Sequence, residues 1–94
     1  MALYLITFDI GAPALTNPEL IEKIEKFGDH LKISDTVYAI DTVETPAEMY
    51  LHLKHSVGRE DQLYIFEIGQ RFSGCGPKET IQWLNRELEH LMPA

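Results

Sequence analysis

The sequence predicts an α+β domain made of two β-α-β halves and closed by one more helix. Three observations predict it. Residues 3–10 and 62–68 carry β-branched and aromatic residues on both faces, which is how a strand covered on two sides reads. Asn17-Pro18 and Thr45-Pro46-Ala47-Glu48 each pair a capping side chain with a proline at the first helical position. Between them, His30 to Val43 alternates apolar and polar residues around Ser34-Asp35, the pattern of a hairpin.

The first strand, Leu-Tyr-Leu-Ile-Thr-Phe-Asp-Ile over residues 3–10, breaks its apolar character only at Thr7 and Asp9. Gly11 to Thr16, with Pro13 inside, is a loop. In the helix that Asn17 opens, Leu20, Ile24, Phe27 and Leu31 form one apolar stripe, and Glu22–Lys26 is an i,i+4 pair. Gly28 is placed to end it, so the boundary with the next strand falls near Gly28. In the hairpin, Leu31 and Ile33 share one face of the first arm. Val37, Ala39 and Val43 share one face of the second, with Tyr38 and Ile40 on the other.

Thr45 to Glu48 is a capping box. The helix it opens is expected to reach about Val57, with Tyr50, Leu51 and Lys54 along one side and Gly58 as its stop. After the strand at 62–68 comes a loop, Gly69 to Gly76. Pro77 then opens a last helix with Ile81, Leu84, Leu88 and Leu91 as its stripe. This order is the ferredoxin-like plan, β-α-β-β-α-β with an extra C-terminal helix. Two helices lie on one face of a four-stranded antiparallel sheet. The other face is too apolar to stand open, so the extra helix, a second subunit or both must cover it. A homodimer is expected for that reason.

The 94 residues suit one domain, 1–94, and 45% hydrophobic with 24% charged residues excludes disorder. Fifteen acids against eight bases give a net charge of −7, which argues against strong nonspecific nucleic-acid binding. Cys75 is the only cysteine, so no internal disulfide forms and a reducing, cytoplasmic compartment is expected. No basic residue precedes Lys23, so no signal-peptide n-region is expected, and no apolar run is long enough to span a membrane.

Asp9 is the most informative candidate. A carboxylate at the end of an apolar strand needs a cation, a hydrogen-bond donor or open water. It either caps backbone N–H groups of residues 11–12 or acts as a Mg²⁺ or Mn²⁺ ligand, since those ions prefer carboxylate oxygen and water. One Asp is a poor metal site. Two copies of Asp9 across a two-fold axis could flank one ion.

Other features read as structure first. Gly69-x4-Gly74 begins like a phosphate loop, but Cys75 stands where lysine is needed and Lys78 follows Pro77. Arg71, Ser73 and Lys78 with glycine N–H groups retain a weaker anion-binding reading. His52 and His55 share a helix face without a third zinc ligand, and His30 and His90 have no visible partner. Cys75 defaults to an ordinary thiol. Trp83 sits about one position off the last helix's stripe and suits a wedge into the sheet's second face or into a partner. Tyr4, Tyr38 and Tyr64 on strands suggest a base-stacking platform, but those strands carry no Arg or Lys, so packing is favoured.

Several of these segments carry a family resemblance. Leu3–Ile10, ending Phe8-Asp9-Ile10, resembles the first strand of the small CRISPR-adaptation proteins of the Cas-two family. Gly28 to Tyr38, with Ser34-Asp35-Thr36-Val37-Tyr38, resembles that family's hairpin segment, and Thr45-Pro46-Ala47-Glu48 sits where its second helix begins. The ending Gly69-Gln70-Arg71-Phe72-Ser73-Gly74-Cys75-Gly76 with Trp83-Leu84 is similar to small stand-alone, SinR-like relatives. Virulence-associated protein D, a toxin ribonuclease, is similar to the same fold group. The resemblance implies a homodimer with an Asp9 pair across a cleft. It also implies weak or vestigial Mg²⁺-dependent nuclease activity on RNA or DNA, with Asp9 as both catalytic residue and metal ligand. The alternative is a non-catalytic adaptor or antitoxin-like module whose acidic surface takes a basic protein partner. A small-ligand or anion sensor using the Gly69–Gly76 loop is a third reading.

Overall fold

The structure, a computed structural model, describes residues 2–11, 17–69 and 72–91. Its elements are β1 (Ala2–Asp9), α1 (Pro18–Glu25), β2 (Asp29–Ser34), β3 (Val37–Thr42), α2 (Pro46–Leu53), a 3-10 turn (Lys54–Ser56), β4 (Gln62–Glu67) and α3 (Lys78–Leu91). The four strands form one sheet in the order β2-β3-β1-β4, and every neighbouring pair is antiparallel. The chain is thus α+β, with three α-helices among the described residues. β1 is central, as its two-sided apolar character requires. β4 lies at an edge and pairs with β1. The loop expected at Gly11–Thr16 lies mostly outside the described residues, as do Arg71 and the side chains of His90 and Leu91.

Local chemistry sets the helix ends. Asn17 Oδ1 accepts from the Leu20 N–H at 3.1 Å, and Asn17 Nδ2 donates to the Ser56 carbonyl. One side chain therefore starts α1 and ties it to the 3-10 turn that follows α2. α1 ends at Glu25, with Lys26 as its cap, earlier than the expected stop at Gly28. Gly28 serves another purpose. It passes so close to the Asp41 carbonyl that any Cβ there would overlap it. A glycine is what lets the chain turn in against β3 and begin β2.

α2 carries the expected capping box. The Glu48 N–H donates to Thr45 Oγ1 at 3.1 Å, and the Thr45 N–H donates to Glu48 Oε1 at 2.9 Å. Those contacts, the Thr45 backbone first, hold the Glu48 carboxyl below its ordinary range. Tyr50, Leu51 and Lys54, expected along one side of α2, do not form its buried side. Met49 and Leu53, an i,i+4 pair, face the core, while Tyr50 and Leu51 are exposed. Tyr50 and Leu51 sit roughly 100° and 200° around the helix from Met49 and cannot share its direction. The helix tightens into the 3-10 turn at Lys54, short of the expected end at Val57.

The sheet separates two apolar clusters. On one face Tyr4, Ile6 and Phe8 of β1 and Tyr38 and Ile40 of β3 pack against Leu20 and Ile24 of α1 and Met49 and Leu53 of α2. On the other face Leu3 and Ala39 pack against Trp83 and Leu88 of α3, with Leu31, Ile68, Phe72 and Leu84 around them. Trp83 therefore wedges into the sheet's second face, while Ile81, expected on the buried stripe, is only half-buried. Val43 lies beyond β3 and is exposed. Asp41 takes the place expected for an apolar residue on the Val37–Ala39 face.

Candidate functional site

The second face of the sheet has two unlike ends. Strand alternation puts Leu3, Leu5, Thr7 and Asp9 on it from β1. The register then adds Asp41, Ala39 and Val37 from β3, and Phe66, Tyr64 and Gln62 from β4. α3 covers the Leu3 end. At the other end Leu5 and Thr7 are half-buried, and Tyr64 and Phe66 are about half-exposed, at 52% and 55%. Their rings lie 6.3 Å apart, and the Tyr64 hydroxyl donates to Gln62 Oε1 at 2.9 Å.

Asp9 closes this bare end. It is exposed, at the last position of β1, opposite Gln62. Of the expected capping of residues 11–12, the Gly11 half is not seen, and residue 12 lies outside the described residues. The Gly11 N–H donates instead to Asp61 Oδ1 at 2.9 Å, and the Gly58 N–H donates to Asp61 Oδ2 at 2.7 Å. Those two donors, Gly58 first, hold the Asp61 carboxyl below its ordinary range. Gly11 also runs against Glu60, where a Cβ would meet the carbonyl oxygen at 2.5 Å. Asp61 and Gly11 thus fasten the chain just past Asp9 and leave the Asp9 carboxylate to solvent. Around Asp9, β1, β3 and β4 contain no Lys or Arg.

The covered end holds a carboxyl cluster that the sequence reading passed over. Asp29 of β2 and Asp41 of β3 are direct cross-strand partners, and Glu87 of α3 comes down between them. Asp41 is 8% exposed and Glu87 4% exposed. Asp41 Oδ1 is fully buried and meets no donor among the described residues. Burial first, then the Asp41 carboxyl, then Asp29, push Glu87 up to about 7. Among the described residues, the one cation against the group is Arg86, whose Nε lies 3.4 Å from Glu87 Oε1 and whose side chain is mostly exposed. Parity was the available signal. Asp41 shares a face with Ala39, and Glu87 follows Trp83 by four residues and precedes Leu88.

The remaining candidates do not converge. His52 approaches Glu44 at 3.5 Å and the Phe27 ring at 6.0 Å, whereas His55 sits exposed in the 3-10 turn. His30, expected to lack a partner, lies 3.7 Å from Glu25. A shallow cavity of about 340 Å³ is lined by Lys23, Lys26, Phe27, Glu44 and His52, but both lysines and His52 each face an acid. Ser73, Cys75 and Lys78 are exposed on the way into α3. Tyr4 and Tyr38 are buried on the face opposite Tyr64, so the three tyrosines make no common platform. Among the described residues no group of three or more His, Cys, Asp or Glu side chains is placed to hold a metal ion, and no helix is long and apolar enough to cross a membrane. No family model, curated protein or solved structure matches the chain.

Proposed function

We propose that the chain is a ferredoxin-like, Cas-two-like protomer that pairs with a second copy through the bare end of its sheet face. In this reading two Asp9 carboxylates meet at the seam and carry weak or vestigial Mg²⁺-dependent cleavage of RNA or DNA. One observation carries it: an exposed carboxylate stands at the rim of an apolar patch made by Leu5, Tyr64 and Phe66. The strand order β2-β3-β1-β4, with β-α-β-β-α-β connections, supports the fold. A two-fold contact is self-complementary, so an apolar patch at the axis covers itself, and the two Asp9 carboxylates meet in an arrangement whose axis runs beside the Asp9 end of that patch. A cytoplasmic location belongs to the same reading and is supported by the single cysteine.

One protomer does not fit Mg²⁺ by itself, because among the described residues no group of three or more His, Cys, Asp or Glu side chains, Asp9 included, is placed to hold an ion. No cleavage step is drawn through the ion. The test uses Asp9→Ala. Its expected result is an intact dimer that has lost any Mg²⁺-dependent nuclease activity of the wild type. Equal activity in the variant removes Asp9 from the chemistry.

A second reading, a non-catalytic adaptor for a basic protein, is favoured by the net charge of −7 and by strands without cations around Asp9. A nuclease needs positive charge to hold a phosphate backbone, and this face supplies none. Retention of a basic partner by the wild type at moderate salt, with no cleavage of RNA or DNA, decides for this reading.

A further inference from the structure

We propose that α3 is latched to the sheet by a proton shared between the buried carboxyls of Glu87 and Asp41, so that loss of this proton releases the helix and uncovers Leu3 and Ala39. The geometry alone poses the problem that the proton solves. Two carboxyl groups from different elements meet where each is more than nine-tenths buried, and Asp41 Oδ1 is fully buried with no donor among the described residues. A buried acceptor without a donor costs more than most hydrogen bonds gain. Two adjacent buried carboxylates cannot both ionise cheaply. A protonated Glu87 removes both costs, because its hydroxyl donates to Asp41.

Among the described residues, the groups that face Glu87 offer no cation in the interior of the cluster. From β3 comes Asp41, and from β2 comes Asp29, a third acid. From α3 itself comes Arg86, held at the rim with 63% of its side chain exposed. From β1 comes Leu3, which has no charge. No lysine or histidine among the described side chains enters the cluster, and its acids are not placed as a metal site. Like charge from Asp41 and Asp29 outweighs the single peripheral cation.

Release of α3 matters because of what lies beneath it. Leu3 and Ala39 continue directly into Leu5 and Phe66 of the bare end. The proton therefore sets how much of this apolar face is exposed. The latch holds whatever occupies the bare end, so it stands independently of the dimer.

Trp83 is the chain's only tryptophan and sits in the cluster under α3, so its emission reports docking directly. The experiment is a urea titration followed by Trp83 fluorescence at about pH 5 and about pH 8. One proton linked to docking changes the docking constant by about tenfold per pH unit between the free and docked carboxyl ranges. The midpoint is expected to fall on going to the higher pH. Glu87→Gln, which supplies a permanent amide donor to Asp41, is expected to abolish that fall and to keep the high midpoint at both values. Asp41→Asn serves as a second removal of the charge pair and is expected to flatten the dependence as well. Far-UV circular dichroism establishes that each variant is folded. An equal wild-type midpoint at the two pH values overturns the latch. So does a fall that persists in a folded Glu87→Gln, which would assign it to the histidines.

Discussion

Two of the aspartates on one face of this sheet lie at opposite ends, and they could hardly be treated more differently. Asp41, across from Leu3, lies under α3 with one oxygen buried and no donor. Asp9, six residues further along β1 and so about 20 Å away, stands in solvent opposite Gln62, past the exposed Tyr64 and Phe66. The strand pattern puts both on the same surface. The difference comes from the helix appended after β4, which covers one end and stops short of the other. An acid under a helix becomes part of the folding equilibrium. An acid beyond it remains available to a partner, a cation or a substrate.

The largest expected effect tests that inequality of cover. Leu3→Ala, at a site with no exposure, is expected to cost about 2–5 kcal/mol. Leu5→Ala, two residues along on the same face but only half-buried, is expected to cost about 1 kcal/mol in the monomer. Chemical denaturation measures both. Equal costs would mean that the bare end is already covered within one chain.

Next in size is the pH response. Glu87 is raised in the folded state, so its contribution is fully present below the ordinary carboxylate range and is lost as pH rises toward and through about 7. Glu87→Gln is expected to gain stability relative to wild type at about pH 8 and to gain little near about pH 4. Asp9→Asn, at the exposed end, is expected to leave the denaturation midpoint unchanged at both. A matching response from Asp9→Asn would erase the distinction between the two acids.

Much of the fold was legible because local signals and tertiary needs agreed. Asn17-Pro18 and the Thr45–Glu48 box start helices where caps and proline dictate, and the double-sided apolar run of β1 becomes the central strand. Failures occurred where packing, not propensity, decided. α2 offers several apolar residues, and only contact with α1 and the sheet selects Met49 and Leu53 over Tyr50 and Leu51. Gly28 looked like a helix stop, but its role is set by a neighbour thirteen residues later, the Asp41 carbonyl. The site was half legible. Asp9 could be picked out because it ends an apolar strand. The Asp41–Glu87 pair left only the trace of parity, Asp41 with Ala39 and Glu87 with Trp83, and each otherwise reads as a surface acid until α3 folds back over the sheet.

Phe66→Ser sharpens the comparison further. It is expected to change monomer stability by less than about 1 kcal/mol, because Phe66 is 55% exposed, and yet to dissociate the dimer. Light scattering on the eluted protein reads the difference. The smallest effect is expected from Asp61→Asn, which weakens the bonds from the Gly58 and Gly11 N–H groups. Asp61 is held low in the folded state, so its contribution is present at neutral pH and is lost as pH falls below the ordinary aspartate range. Faster amide exchange at Gly11 and Gly58, with the rest of the sheet unchanged, is the expected signature.

Sedimentation equilibrium of the wild-type chain tests the central claim most directly. The predicted result is a species of twice the 10.8 kDa protomer mass that reverts to a single protomer in Phe66→Ser. A wild-type chain that stays at one protomer mass across the concentration range would contradict it, because the two Asp9 carboxylates would then never share a seam.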